Sequence, residues 1–269
     1  MNLKTIIFLT FCLYFSLLPA IDNYPAGSRI AGISNCGVSL PDVWSVSHNQ
    51  AGLAFLEKIT IAIDHQQRFL LKELAISNIA LALPIKKGTF GLQISYLGYS
   101  KYHESKVGIA YAIKLNDIIS FGLQFDLFNS FLQNSNSLKY ITFETGFMAK
   151  PIENLTIGTH IFNPLPKKWN QHVESDIPFI VSFGASYLIE NKILLLSETQ
   201  FDFKNKRILG FGAEYTPAKQ LALRIGVSSG EYQYSFGISY NWKNFQTNFA
   251  FRQHQVLGTT PSVDIIYGL

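Results

Sequence analysis

From residue 57 onward the chain alternates between apolar and small or polar positions. Tyr232 to Trp242 carries Tyr, Tyr, Phe, Ile, Tyr and Trp at its even positions and Gln, Ser, Gly, Ser and Asn at its odd ones. Ile119 to Leu127 behaves alike, with Ile119, Phe121, Leu123, Phe125 and Leu127 on one phase and Ser120, Gly122, Gln124 and Asp126 on the other. A period of two sends the two sets to opposite faces of a pleated strand. Repetition of this pattern predicts about fourteen strands, near 57–64, 73–83, 89–99, 105–115, 118–128, 138–149, 155–162, 178–188, 192–201, 207–215, 220–228, 232–242, 245–252 and 262–268.

Their connections fall into two sets. One is short: residues 84–88, 116–117, 150–154, 190–191, 216–219 and 243–244. The alternate set is mostly longer: residues 65–72, 100–104, 129–137, 163–176, 202–206 and 253–260, with a tight exception at Ser229-Gly230-Glu231. Short periplasmic turns facing longer external loops are the signature of an outer-membrane barrel, and an even strand count returns both termini to the periplasm. Two turns share a pattern, Pro151-Ile-Glu-Asn-Leu and Pro217-Ala-Lys-Gln-Leu, each followed by an alternating run that ends Ile-Gly. Proline cannot donate into a strand ladder, so both belong at strand ends.

The apolar phase is crowded with Phe, Tyr, Ile and Leu, as lipid contact requires. The opposite phase is small as well as polar, which suits a filled lumen better than the outside of a soluble sandwich. Composition agrees. Of the 269 residues 48% are hydrophobic and 15% charged, with a mean hydropathy of +0.15. The longest apolar stretch, Ile6 to Leu18, is too short for the roughly 20 residues of a spanning helix. Behind Lys4 and before Leu18-Pro19-Ala20 it reads as a signal peptide, residues 1–20. The fold expected is all-β, a transmembrane antiparallel β-barrel of about 14 strands, exported to the cell outer membrane and in contact with its lipid.

Charge and chemistry exclude several functions. The net charge of +4 comes without a basic run, which argues against nucleic acid as a partner. Six histidines are dispersed and none has metal-ligand spacing. No nucleophile elbow, phosphate loop or dinucleotide fingerprint is present, so no catalytic residue, metal or cofactor is expected and the protein reads as non-enzymatic. Export removes Cys12 and leaves Cys36, so no internal disulfide is expected. Polar residues on the small phase, among them Gln93, Gln124, Asp126, Glu144, Glu214 and Arg224, face the lumen and suit hydrogen bonds to a plug.

Residues 21–55 do not alternate. Their pieces Gly27-Ser28-Arg29, Gly37-Val38-Ser39-Leu40, Asp42-Val43-Trp44 and Asn49-Gln50-Ala51-Gly52-Leu53 resemble the amino-terminal segment of the PorV/PorQ family of type IX secretion outer-membrane proteins, itself similar to the FadL-type barrels. Where the family has Asn-Pro-Ala-Gly-Leu, this chain has Gln50, which removes the kink a proline would fix. The resemblance implies that residues 21–55 form a periplasmic hatch plugging the lumen of a barrel spanning 56–269. It implies a component or accessory of protein secretion, partnered by a translocon barrel or a secreted cargo protein. The alternative it carries is FadL-like passive transport of hydrophobic small molecules such as fatty acids, with a gap in the wall for sideways exit.

Overall fold

A computed structural model describes residues 25–134, 137–164, 178–202, 206–230 and 232–269. The expected signal peptide lies outside the described residues. Fourteen strands close into a barrel: β1 Thr60–Gln67, β2 Ala75–Ile85, β3 Gly88–Tyr99, β4 Tyr102–Lys114, β5 Ile119–Leu132, β6 Leu138–Ile152, β7 Leu155–Phe162, β8 Ile180–Ile189, β9 Ile193–Asp202, β10 Lys206–Ala218, β11 Leu221–Ser228, β12 Tyr232–Trp242, β13 Phe245–His254 and β14 Gly258–Gly268. Every strand pairs antiparallel with its sequence neighbours, and β1 pairs with β14 to close the ring. All fourteen expected strands are present, and the molecule is a transmembrane antiparallel barrel.

The alternation sorts side chains as expected. Phe125 is 66% exposed and Ile141 74%, while Gln124 and Asp126 beside them are buried in the lumen. Outside, the same phase carries Ile109, Phe236, Tyr240 and Trp242, all exposed, so an apolar band faces lipid around the ring.

The strands run further at one end than the alternation suggests. β4 starts at Tyr102, β5 continues to Leu132 and β14 starts at Gly258, so the connections expected at 100–104, 129–137 and 253–260 shrink. Asn129-Ser130 and Thr259-Thr260 are polar or small on both phases, which hides pairing from a hydrophobic pattern. The end holding the carboxyl terminus has six short hairpin turns and is called the turn end; the other is the loop end. The two repeated prolines sit where the ladder is interrupted: register breaks between Ala149 and Ile152 in β6 and between Tyr215 and Ala218 in β10. The missing proline N–H is thereby tolerated.

Within the barrel lies the non-alternating segment. It contains α1 (Ser28–Ala31), α2 (Ser45–His48) and a 3-10 turn, Gln50–Phe55. It travels once around the inner wall in the reverse of strand order. Ser28 meets β14 and β1, Gly32 meets β12, Ile33 meets β10 and β11, Val38 meets β7 to β9, Asn49 meets β6, Ala51 meets β5 and Leu53 meets β3. We call this segment the hatch.

Candidate functional site

The hatch and the lumen wall facing it form the site. Steric fit comes first. Gly122 and Gly146 oppose each other on β5 and β6, as do Gly158 and Gly184 on β7 and β8, and Gly212 and Gly226 on β10 and β11. A side-chain carbon on Gly122 would fall 2.5 Å from the Gln50 carbonyl carbon, and one on Gly226 would fall 2.6 Å from Ile33. These inward glycines let the hatch backbone lie directly on the wall. Between β1, β2 and β4 the wall is alanine instead: Ala62, Ala80, Ala82, Ala110 and Ala112 cup Trp44, Val46 and Leu53.

Each hatch position singled out in the sequence has a contact. Gly27 adopts φ 99° and leaves no room for a side chain against the Trp44 ring, which is fully buried. The Ser28 amide donates to Asp264 Oδ2 at 2.6 Å. Arg29 makes a two-pronged contact with Glu214, Nε to Oε2 at 3.0 Å and Nη2 to Oε1 at 2.9 Å, and a third with Asp42 Oδ2 at 3.3 Å. Burial opposes the Arg29 charge, but Glu214 and Asp42 outweigh it and hold its pKa above the ordinary value. Gly37 sits against Ile30 and the His48 ring. Asp42 Oδ1 accepts from the Trp44 amide at 3.0 Å.

Asn49 is the hinge of the second half. Its Nδ2 donates to the carbonyls of Val38 at 2.5 Å and Phe147 at 3.1 Å, while Oδ1 accepts from the Ala51 amide. The chain therefore bends here without a proline, capped by Asn49. Gln50 stands first in the 3-10 turn, where an N–H has no intrahelical partner and proline or glutamine both fit. Its side chain reaches the wall, Nε2 donating to Glu144 Oε2 at 2.7 Å. Ala51 accepts from Ser120 Oγ at 3.0 Å, Gly52 packs on Ser45, and Leu53 packs on Gly91.

The lumenal polar candidates fall into two groups. Gln124, Asp126 and Glu144 gather with Gln93 around Lys106, whose Nζ pairs with Glu144 and lies 3.5 Å from Asp126 Oδ1. His160 Nε2 lies 2.9 Å from Glu144 Oε2. Glu214 and Arg224, 2.5 Å apart, gather instead around hatch Arg29. From Arg224 the network continues to Asn248 and Ser239. A third group was not singled out by sequence. Asn78, Asp64, Asp264 and Asn248 form one rung across β2, β1, β14 and β13, and its two aspartates hold Ser28. Lys106, Asp64, Asp264 and His160 all lie in phase with small inward residues, the one signal that would have found them.

Between the two charge groups stands His48, its side chain only 10% exposed, with Nε2 3.9 Å from Asp42 Oδ1. Burial pushes its pKa down to about 4 despite Asp42. Cys36 is buried against Gly210, and burial raises its thiol pKa. The other histidines remain dispersed: His65, His103 and His254 belong to strands rather than the loops expected of them, and His172 lies outside the described residues.

Toward the loop end the lumen turns apolar. Phe128, Tyr140, Phe162 and Ile180 form a buried inward cluster, joined by Leu138, from β5 to β8. The Phe128 ring stacks on Tyr140 at 5.3 Å and meets Phe162 edge-on at 6.1 Å. The Lys106 ammonium lies 5.4 Å from the Phe128 ring and 5.6 Å from the Phe162 ring. A gap in the wall, implied by the resemblance, is not present: among the described residues each of the fourteen seams is paired, interrupted only by local register shifts.

The closed fourteen-strand barrel is a fold this chain shares with solved FadL-type transporters. The chain is similar in structure to a Pseudomonas aeruginosa FadL homologue, with TM-score 0.64, 11% identity, and coverage of 90% of this chain and 98% of that one. It is similar to the monoaromatic hydrocarbon channel CymD, with TM-score 0.67, 10% identity, and coverage of 93% and 99%. The Ralstonia pickettii toluene transporter TbuX gives TM-score 0.67, 12% identity, and coverage of 90% and 97%. At these identities the likeness is one of fold. No family model and no curated protein matches the sequence.

Proposed function

We propose that the protein is a non-enzymatic, hatch-gated outer-membrane barrel that passes small hydrophobic molecules. The observation that carries this reading is the inward cluster of Phe128, Tyr140, Phe162 and Ile180 at the loop end of the lumen, on the side away from the turn-end hairpins. A molecule entering from the loop end meets these apolar side chains before it meets the hatch, and convergent apolar surface of this kind is what such ligands need. The described fold neighbours include a hydrocarbon channel and a toluene transporter, which supports the same reading. On this reading residues 1–20 are a cleaved leader, 21–55 the hatch and 56–269 the barrel, with both termini periplasmic. Because the wall seams are paired, the route runs through the lumen, and the hatch must shift to open it.

The test pins the hatch. Ser34 Oγ and Ser235 Oγ lie 2.9 Å apart, hatch against β12. Ser34→Cys with Ser235→Cys, in a Cys36→Ala background, is expected to abolish uptake of a fluorescent hydrophobic probe into proteoliposomes when oxidised. Reductant is expected to restore it. Uptake indifferent to the disulfide, or no faster than in empty liposomes, removes the proposal.

A second reading keeps the PorV/PorQ resemblance: an accessory of protein secretion in which the barrel is a scaffold. The close seating of the hatch on wall glycines and the unbroken wall favour it. Recovery of a translocon barrel or a secreted cargo with the protein from native membranes, together with no probe uptake, would select this reading.

A further inference from the structure

The turn end carries a regular feature that transport does not use. Each of its six hairpins bears a lysine: Lys87, Lys114, Lys150, Lys192, Lys219 and Lys243. All are exposed except Lys150, which is half-buried. Acids are present on three of these hairpins, at Asp117, Glu153 and Glu190, yet among the described residues none of the six lysines lies within ion-pair distance of a carboxylate.

Two of the six converge. Phe55, the last residue of the hatch turn, is half-buried between Lys114, whose Nζ is 5.1 Å from its ring centroid, and Lys150, whose Nζ is 3.9 Å away. Two ammonium groups thus share one ring without an anion between them. Like charges held side by side are destabilising unless a counter-charge joins them. Along the chain, Ile85, Leu115, Ile152 and Trp242 flank Lys87, Lys114, Lys150 and Lys243 and are exposed on the outer face, while Lys114 and Lys150 themselves continue the inward phase at the rim of the lumen. The basic ring therefore sits where the apolar band ends, at headgroup height.

We propose that this end of the barrel seats anionic phospholipid headgroups, with one phosphate bridging Lys114 and Lys150 at the mouth of the hatch. The distribution favours lipid over an acidic protein, because the lysines follow the whole circumference instead of gathering on one flank. Lysine at a membrane surface attracts anionic lipid in this way. A bridging phosphate would neutralise the pair and hold Phe55 in place where the hatch leaves the lumen.

Purified barrel, folded by its heat-modifiable gel migration, is equilibrated with equimolar phosphatidylglycerol and phosphatidylcholine, and retained lipid is counted by native mass spectrometry. Wild type is expected to prefer phosphatidylglycerol. Lys114→Gln with Lys150→Gln is expected to lower that preference by about fivefold per lysine, and Lys114→Arg with Lys150→Arg to keep it. Should the double glutamine variant misfold, each single variant gives the same reading. Equal retention of the two lipids by wild type, or an unchanged preference in the glutamine variants, overturns the proposal. Binding of polyglutamate to the embedded barrel with a flat lipid preference overturns it too.

Discussion

His48 is a titratable ring placed where its charge is costly. An ordinary imidazole gains its proton near pH 6.5, whereas His48 in the seated hatch does so near 4. Between those values the unfolded chain binds a proton that the seated hatch cannot. Stability is therefore lost as pH falls from 6.5 towards 4, by about 3 kcal/mol in total, with no effect above that window. Asp42, Arg29 and His160 are the charged or titratable groups acting on the ring. His48→Gln is expected to melt with a shallower acid dependence than wild type, and thermal unfolding from pH 7 to 4 measures the difference. Parallel curves for the two proteins would show that His48 does not titrate in this window. Gln50 teaches a related lesson. A departure from the family pattern looked like the loss of a bend, yet the bend rests on the Asn49 side chain, and Gln50 adds a wall contact through Glu144.

At the scale of elements, period-two alternation was enough to find every strand, because one face must meet lipid and the other must not. It failed where both phases are polar, which is why β4, β5 and β14 extend beyond their expected ends. The site was less legible. Gln124, Asp126, Glu144, Glu214 and Arg224 could be assigned to the lumen by phase alone, but not to two separate groups, since grouping depends on shear between distant strands. Asp64 and Asp264 meet across the closing seam, a pairing no local pattern encodes. Hatch contacts were invisible for another reason: an aperiodic segment carries no phase. The wall glycines are their trace in the barrel sequence. Gly122→Val is expected to overpack the hatch by about 1–3 kcal/mol and so to raise maleimide labelling of buried Cys36 about tenfold or more at pH 7. Labelling at the wild-type rate would mean that the hatch is not held by this contact.

For the whole molecule, the proposed role of the hatch is to make a sealed barrel of what would otherwise be a pore. A ring of fourteen strands is too wide for its own side chains to fill, and here the inward residues at hatch height are largely glycine, alanine and serine. Removing residues 25–55 leaves every seam intact, since none of the ladder pairs involves them. The truncated barrel is expected to fold and to show steady ion conductance in planar bilayers, where the intact protein is silent. Silence from a folded truncated barrel would mean that wall side chains and loops seal the lumen without the hatch.

The reverse path of the hatch has a consequence for assembly. Its first anchor, the Ser28 amide on Asp264, joins residues 236 positions apart, and its following contacts run back through β12, β10 and β7 toward β3. The segment made first therefore cannot complete its contacts until the strand made last is in place. Closing the ring and seating the hatch become one late event, and an incompletely inserted barrel would hold its hatch only by the end nearest β3 to β6. If the hatch is the plug proposed above, sealing of the lumen is tied to completion of the ring, and a half-built barrel carries no finished plug.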